Sequence, residues 1–291
     1  MREKRWKRPG RLGAATLIVT MAVFAPRAAR GGDPAMEPGQ HFTIDPVADV
    51  VLTGASAGAA ALTDLILSTG EIVPSSPPLR TGPMGTQIPD TSKLLPFDRI
   101  AVTQTIDPNA SLYSNIGLAV ALTFAGADSI FSGLRDGWDA ALVDAVMYAE
   151  SLSMTLFITD VTKIAVRRPR PLVYINQGVG TDRELSFFSG HASTTAAVAA
   201  TATYLAFVRS PRSPRPWITL GAGALLTAFV SYERVRSGNH FPTDVLAGSM
   251  AGAAIGVLVP HLHHHSVESP NLWIGAAPVP SGGGVFLHGS F

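Results

Sequence analysis

The feature that most restricts the fold is a set of three uncharged runs, each 16 residues long, over residues 112–127, 217–232 and 245–260. Alanine, glycine, serine and threonine dominate these segments, which suits closely packed helices. Prolines and glycines separate the segments, and strands do not alternate with helices along the chain. The pattern predicts an all-α bundle of about six helices. The predicted helices cover about residues 45–68, 107–131, 138–166, 189–208, 217–236 and 242–261.

Only 15% of the 291 residues are charged, and the chain contains no cysteine. The low charged fraction argues against disorder and against nucleic-acid binding. The absence of cysteine excludes disulfides, thiol catalysis and Cys-ligated metal sites. Membrane contact is expected, but whether the helices span a membrane is left open. The uncharged runs are shorter than the about 20 residues of a span, and Asp144, Glu150 and Asp160 fall within the third predicted helix.

The first 29 residues have the pattern of a secretory signal peptide. A basic start precedes an uncharged run over residues 12–25, and small residues follow. Because that run is short for a membrane span, we expect a signal peptide, with an uncleaved N-terminal anchor as the alternative. The protein is therefore predicted to be exported, to the periplasm or to a cell-envelope membrane.

The rest of the chain divides into a linker (residues 30–44), a helical domain (45–265) and a C-terminal tail (266–291). Apolar segments flank Ser281–Gly284 in the tail, which predicts a short β-hairpin. Histidines at positions 261, 263, 264 and 265 cluster where the last helix ends. Such a tract binds Zn, Ni or Cu, or it caps a helix C-terminus. Because nothing else in the sequence supplies a structured metal site, we expect the cap and no metal.

Lys163 and Arg170 lie near the end of the third predicted helix. They are seven residues apart, so a continuing helix would place both cations on one face. Pro169 and Pro171 then stop that helix. Two cations at a helix end suit a tetrahedral oxyanion, with arginine as a bidentate donor and lysine as a point charge.

Ser189-Gly190-His191 opens the next helix. Serine is a good N-cap, and glycine lets backbone N–H groups approach a ligand closely. A helix N-terminus with free N–H groups is a ready anion site. His191 could exchange a proton with an anion bound there.

Arg234, His240 and Asp244 surround the turn before the last helix. His240 and Asp244 are four residues apart, a spacing that lets a carboxylate hold one imidazole nitrogen. The other nitrogen would then be free as a nucleophile. Each of the three clusters by itself fits an ordinary structural role, but the three in this order do not.

Together the clusters resemble the three-part signature of the type 2 phosphatidic acid phosphatase and vanadium haloperoxidase superfamily. Lys163-x6-Arg170-Pro171, Ser189-Gly190-His191 and Arg234-x5-His240-x3-Asp244 carry the resemblance. Phe188 and Glu233 depart from the usual proline and serine. Neither position does chemistry in the family scheme, but Glu233 adds a negative charge near the phosphate pocket.

The resemblance implies a metal-independent phosphatase with a histidine nucleophile and no cofactor. His240 would attack phosphorus to form a phosphohistidine, Asp244 would orient the His240 ring, and His191 would protonate the leaving group and then activate water. The implied phosphate-binding groups are Lys163, Arg170, Ser189, Gly190 and Arg234.

The charge distribution independently supports an anionic substrate. Residues 163–236 hold ten Lys or Arg and three acidic residues, a local charge of +7. The expected substrate is a phosphate monoester or pyrophosphate, a phosphorylated lipid being favoured over a small ester. The alternatives are a haloperoxidase that uses bound vanadate, and a non-catalytic envelope protein that binds anions or lipids. The sequence does not indicate the oligomeric state.

Overall fold

The computed structural model describes residues 41–175 and 185–264, together with the backbone of residues 271–279 and 282–290. The described chain is dominated by helices, which confirms the all-α prediction. Six helices are long and two, α2 and α5, are single turns. The helices are α1 (Pro46–Ser68), α2 (Ile100–Thr103), α3 (Ala110–Asp136), α4 (Trp138–Val166), α5 (Pro171–Tyr174), α6 (Gly190–Arg209), α7 (Arg215–Arg236) and α8 (Pro242–His263).

Two small antiparallel sheets and two short 3-10 helices, Pro83–Gly85 and Thr91–Lys93, complete the described elements. Strands β1 (Leu79–Thr81) and β2 (Gln87–Pro89) pair within the proline-rich segment before α2, which the sequence predicted only as a loop. Strands β3 (Asn271–Val279) and β4 (Gly282–Ser290) form the expected C-terminal hairpin. The predicted turn glycines instead open β4, because glycine adopts extended backbone as readily as turns. The predicted signal peptide or anchor, residues 1–29, lies outside the described residues.

Two of the long helices, α1 and α6, begin at a side-chain N-cap. Asp45 accepts hydrogen bonds from the backbone N–H groups of Val47 (2.9 Å) and Ala48 (3.0 Å) at the start of α1. Ser189 caps α6 by accepting the N–H of Ala192 at 3.4 Å. A proline occupies the first turn of α8, where its missing N–H costs nothing. The Ser189 cap and the α8 proline therefore mark the two helix starts that carry two of the three clusters.

Helix α4 ends at Val166, as predicted, but the expectation that Lys163 and Arg170 share one helix face is wrong. Arg167 adopts a left-handed conformation (φ 51°, ψ 34°), which terminates the helix four residues before Arg170. Lys163 therefore lies in the last turn of α4, whereas Arg170 is the N-terminal flanking residue of α5. The two cations do not share a helix face, and the chain reversal after α4 positions the second one.

Helix α8 packs closely along α6 because it carries glycine at every fourth position. A Cβ added at Gly248, Gly252 or Gly256 would lie 2.7, 1.9 or 2.3 Å from a backbone carbonyl oxygen of α6. This small-residue stripe brings the two backbones into direct contact. The relative position of the α6 and α8 N-termini therefore depends on those glycines.

Large apolar side chains lie on the outside of the bundle, and acidic ones lie inside. Asp144 and Glu150 are at most 1% exposed. Asp144 pairs with Arg209 at 2.5 Å, and Asp160 pairs with Lys163 at 3.1 Å. Asp144, Glu150 and Asp160 of α4 are thus in the bundle interior, the arrangement that tolerates them within a bilayer, whereas Asp139 in the first turn is exposed.

Four helical segments of the described chain are long and apolar enough to cross a membrane, which indicates a membrane protein. Two of them contain the uncharged runs 112–127 and 245–260 and are longer because flanking residues extend those helices, whereas the run 217–232 in α7 is not among the four. The four segments are Pro46–Ser68, Ala110–Asp136, Trp138–Tyr174 and Pro242–His263.

Candidate active site

His240 lies in the turn between α7 and α8 and is 2% exposed. Its Nδ1 is 2.8 Å from the backbone carbonyl oxygen of Ser186, which can only accept, so Nδ1 carries the hydrogen. In the neutral ring Nε2 is then unprotonated, and it lies 3.4 Å from Arg234 Nη2. The unprotonated nitrogen therefore faces a cation, as a nucleophile for an anionic substrate requires.

Burial is the first cause that lowers the pKa of His240 well below its ordinary value. The charges of Arg234, Arg170 and Lys163 lower it further. The same three cations act on His240 although they come from separate segments of the chain. Folding therefore brings the predicted phosphate-binding cations around the predicted nucleophile.

Asp244 does not hydrogen bond to the His240 ring directly, because Oδ2 is 3.8 Å from Nδ1. Its Oδ2 accepts hydrogen bonds from the Ser186 hydroxyl and from the Phe241 backbone N–H (2.8 Å). Its Oδ1 accepts one from Arg168 Nη1. Asp244 thus holds Ser186, and the Ser186 carbonyl holds the ring. The carboxylate is linked to the nucleophile through one residue rather than by contact.

Arg170 and Arg234 are both buried and are aligned by polar side chains. Arg170 Nη1 donates to the Asn239 side-chain oxygen at 2.5 Å. Arg234 Nη1 lies 3.5 Å from the Ser114 hydroxyl, and its Nη2 faces His240. Held guanidinium groups suit recognition of phosphate oxygens, because they lose little freedom when they bind.

Lys163 and the start of α6 form another wall of the site. A Cβ added at Gly190 would lie 3.8 Å from Lys163 Nζ, so the ammonium group lies close to the first turn of α6. Lys163 Nζ also contacts Asp160 Oδ1 at 3.1 Å. Ser189 is fully buried, and its backbone N–H donates to the Asp244 carbonyl oxygen at 3.1 Å. This contact joins the α6 start to the α8 start.

His191 lies on the more accessible side of the site. Its Nε2 is 2.7 Å from the Asn115 side-chain oxygen. Burial, followed by the charges of Arg234 and His240, lowers the pKa of His191 to about 3. His191 is therefore neutral in the free protein near pH 7. A bound phosphate would counter the cations and raise that pKa, so a proton can be held there when an anion is present.

Glu233, one of the two departures from the family pattern, is paired away from the site. Its carboxylate accepts hydrogen bonds from Arg236 Nη1 at 3.2 and 3.4 Å. Arg236 also pairs with Asp107. The buried negative charge is thus balanced by its own arginine partner.

Sequence reasoning did not identify Ser186, Arg168, Asp98 or Asn239. Arg168 bridges Asp244 and Asp98, its Nη2 lying 2.7 Å from Asp98 Oδ2. Asp98 in turn accepts the Thr243 N–H at 3.0 Å and so fixes the start of α8. These residues lie in irregular segments, where no periodic pattern marks them. The one available signal was the basic pair beside Pro169.

A buried histidine, cations from three chain segments and a helix N-terminus form a candidate anion-binding site in a helical membrane protein. Residues 144–268, which contain all eight predicted site residues, match the family model described as the PAP2 superfamily. This match confirms, over these residues, the resemblance predicted from the sequence. PAP2 phosphatases are generally metal-independent, in agreement with the predicted lack of a cofactor.

One solved structure similar to this chain is described as the crystal structure of the first transmembrane PAP2 type phosphatidylglycerolphosphate phosphatase from Bacillus subtilis. It is 20% identical, and the alignment covers 74% of this chain and 93% of that one, with a TM-score of 0.42. No curated protein matches the chain significantly.

Proposed function

We propose that the protein is a phosphatase that removes phosphate from a lipid phosphate, a monoester or pyrophosphate, through a phosphohistidine on His240. The observation that carries this proposal is the fixed ring of His240. Its Nδ1 donates to the Ser186 carbonyl at 2.8 Å, and its Nε2 faces Arg234 at 3.4 Å. If Arg234 binds the phosphate oxygens, the phosphorus atom lies beside the unprotonated nitrogen of His240. That nitrogen is then placed to attack phosphorus.

In the first step His240 Nε2 attacks phosphorus, and the bond from phosphorus to the leaving oxygen breaks. Lys163, Arg170 and Arg234 bind the non-bridging oxygens, together with Ser189 and the first-turn N–H groups of α6. His191 gives its proton to the leaving alkoxide. The charge that develops on the phosphoryl oxygens is met by groups already in place, which lowers the barrier.

In the second step water attacks the phosphohistidine. Neutral His191 takes a proton from that water, the phosphorus–nitrogen bond breaks, and inorganic phosphate leaves with His240 neutral again. His191 is neutral at this stage because it gave its proton to the leaving alkoxide in the first step. No step requires a metal ion.

A lipid substrate is supported by an apolar cavity of about 940 Å³ beside the site. Its walls come from α2, α6, α7 and α8, and they include Val235, Pro242 and Val245. Val235 directly follows Arg234, and Val245 directly follows Asp244, so the cavity reaches the phosphate-binding end of the bundle. An acyl chain lying in this cavity would be removed from water while its phosphate met the cations.

The decisive experiment compares His240→Ala with His261→Ala in detergent-solubilised protein. His261 is a matched control because it contacts Tyr204 near the C-terminus of α8, away from the site. The substrates are phosphatidate, a lipid pyrophosphate and p-nitrophenyl phosphate, with a parallel assay of vanadate, peroxide and bromide for haloperoxidase activity. We expect phosphate release from the lipid substrates. Its rate should fall by at least about 10³-fold in His240→Ala and stay unchanged in His261→Ala.

Phosphate release that survives His240→Ala would overturn the mechanism. Bromide oxidation without phosphate release would favour the haloperoxidase. Absence of both activities would favour a non-catalytic protein that binds anions.

We also propose that the protein is exported to the periplasm or to the cell-envelope membrane. Export is tested by the N-terminal sequence of the purified membrane-bound protein.

A further inference from the structure

A second cluster of chemically capable side chains lies at the opposite end of α8 from His240. Asp49 of α1, Glu150 of α4 and His263 of α8 each offer a ligand atom, and these atoms lie within 4.8 Å of one another. Helix α8 starts beside the active site and ends at His263, about 30 Å away at 1.5 Å per residue. The cluster is therefore separate from the phosphate site.

The His263 ring is held in the orientation that a metal ligand needs. Its Nδ1 lies 2.8 Å from the Val259 carbonyl oxygen, which can only accept, so Nδ1 carries the hydrogen. Its Nε2 then points at the carboxylates, 3.4 Å from Asp49 Oδ1 and 3.4 Å from Glu150 Oε2. A backbone carbonyl behind the ring is the usual partner of a metal-bound histidine, because it fixes the tautomer.

The two carboxylates are buried, and most of their oxygens lack a well-placed donor. Glu150 is 1% exposed and Asp49 is 8% exposed. Asp49 Oδ2 and both Glu150 carboxylate oxygens accept no hydrogen bond of good geometry from the residues that the structure describes, although the Thr53 hydroxyl approaches Glu150. Burying two neighbouring carboxylates without donors is costly unless a cation lies between them.

The distances fit a metal ion better than a proton. A charge-assisted N–H···O bond is about 2.7–2.9 Å long, and a single proton on Nε2 cannot point at two oxygens. Ligands about 2.0–2.2 Å from a tetrahedral zinc ion are separated from one another by about 3.3–3.6 Å. The two 3.4 Å separations from Nε2 match that spacing.

We propose that Asp49, Glu150 and His263 bind one divalent transition-metal ion, Zn²⁺ being preferred. Two carboxylates neutralise the ion, and one imidazole favours zinc over magnesium or calcium. The ion would join three helices and has no part in phosphate transfer. It would hold the start of α1 to the end of α8, where Thr43 N–H already donates to the His263 carbonyl at 3.1 Å.

This proposal separates His263 from the other histidines of the tract. His261 contacts the Tyr204 hydroxyl, and the His264 ring packs against Phe42 with ring centroids 5.6 Å apart. The sequence showed the histidines but not their partners. Asp49 and Glu150 are far from them along the chain, and only folding brings the carboxylates to His263.

The test uses the full chain in detergent, without a histidine tag, stripped with a chelator and titrated with Zn²⁺ and with Co²⁺. Bound metal is counted by mass spectrometry, and Co²⁺ geometry is read from its visible absorption. We expect one tightly bound ion per chain, a tetrahedral Co²⁺ spectrum and a rise in Tm on Zn²⁺ addition. Glu150→Gln, which keeps every histidine, should weaken Zn²⁺ binding by more than the about 10–100-fold that loss of an outer-shell partner costs.

His261→Gln is the matched control and should bind Zn²⁺ like the parent chain. Asp49→Asn provides a second, isosteric variant, and phosphatase activity near the other end of the bundle reports that each variant is folded. Equal Zn²⁺ affinity in the parent chain, Glu150→Gln and Asp49→Asn would overturn the proposal, because the ion would then bind the histidine tract alone. Absence of a stoichiometric ion in the parent chain would overturn it as well.

Discussion

Replacement of Gly252 by alanine tests whether the contact between α6 and α8 controls the active site. The added Cβ would lie 1.9 Å from the Ser193 carbonyl oxygen and 2.6 Å from the Ser193 carbonyl carbon. Relief to an ordinary contact of about 3.5 Å requires the helices to separate by about 1.5 Å. A backbone carbonyl cannot rotate away as a side chain can, so the helices themselves must move.

The cost follows from that displacement. Because the overlap is with backbone, we take the upper end of the usual overpacking cost, about 3 kcal/mol, and the better helix propensity of alanine returns about 1 kcal/mol. We expect a net loss of about 2 kcal/mol in the free energy of unfolding, which corresponds to about 4–8 °C in Tm for a domain of this size. Because α6 carries Ser189 and α8 carries Asp244, we also expect kcat/KM to fall about 10²-fold, as misplacements of about 1 Å typically cause.

Thermal unfolding and phosphatase assays of detergent-solubilised protein measure both effects. Gly58→Ala in α1 and Gly221→Ala in α7 are matched controls, since a Cβ at either position meets nothing within 4 Å. Both controls should keep their activity and hold or slightly raise Tm. A Gly252→Ala variant with the Tm and activity of these controls would refute the close helix contact.

Further predictions concern the two histidines. Ser186→Ala should lower kcat/KM about 10-fold, which corresponds to the loss of one hydrogen bond, because the backbone carbonyl that holds His240 remains. A loss near 10⁴-fold would instead mean that the Ser186 hydroxyl is essential for orienting the ring. The His191 resonances should titrate near pH 3 in the free protein and at higher pH when vanadate is bound, as measured by NMR; an unchanged titration would contradict its place beside the anion. Since unfolding restores the ordinary pKa of His191, the native state should lose stability as pH falls from about 6.5 toward 3, and His191→Gln should reduce this loss in Tm measurements.

Local chemistry allowed much of this protein to be predicted from its sequence. The bounds of α4 agree with the prediction, because Gly137 precedes its start and prolines follow its end. The starts of α1 and α6 were identifiable because a capping residue acts on backbone groups two or three residues away, and the start of α8 because proline fits the first helical turn. The same short range places Ser189, Gly190 and His191 at one helix start. All these signals come from neighbours in the chain.

Contacts between distant segments were decided only by the tertiary structure. Lys163 and Arg170 were expected on one helix face, but the left-handed Arg167 ends the helix between them. Asp244 was expected to hold His240 directly, but Ser186 lies between the two groups. No periodic pattern encodes such a relay, because its members lie in loops.

Helix α8 shows both what the sequence predicts and what only the tertiary structure decides. Its length, its proline start and its glycine stripe can all be predicted from one short stretch of sequence, because helix geometry repeats every 3.6 residues. The residues that contact the end of α8 cannot be predicted in this way, because Asp49 and Glu150 approach His263 only after three helices have packed together. The sequence alone determined the helices and the chemistry each could carry. The packing of those helices decided which side chains meet, since side chains far apart in the chain meet only where helix backbones lie side by side.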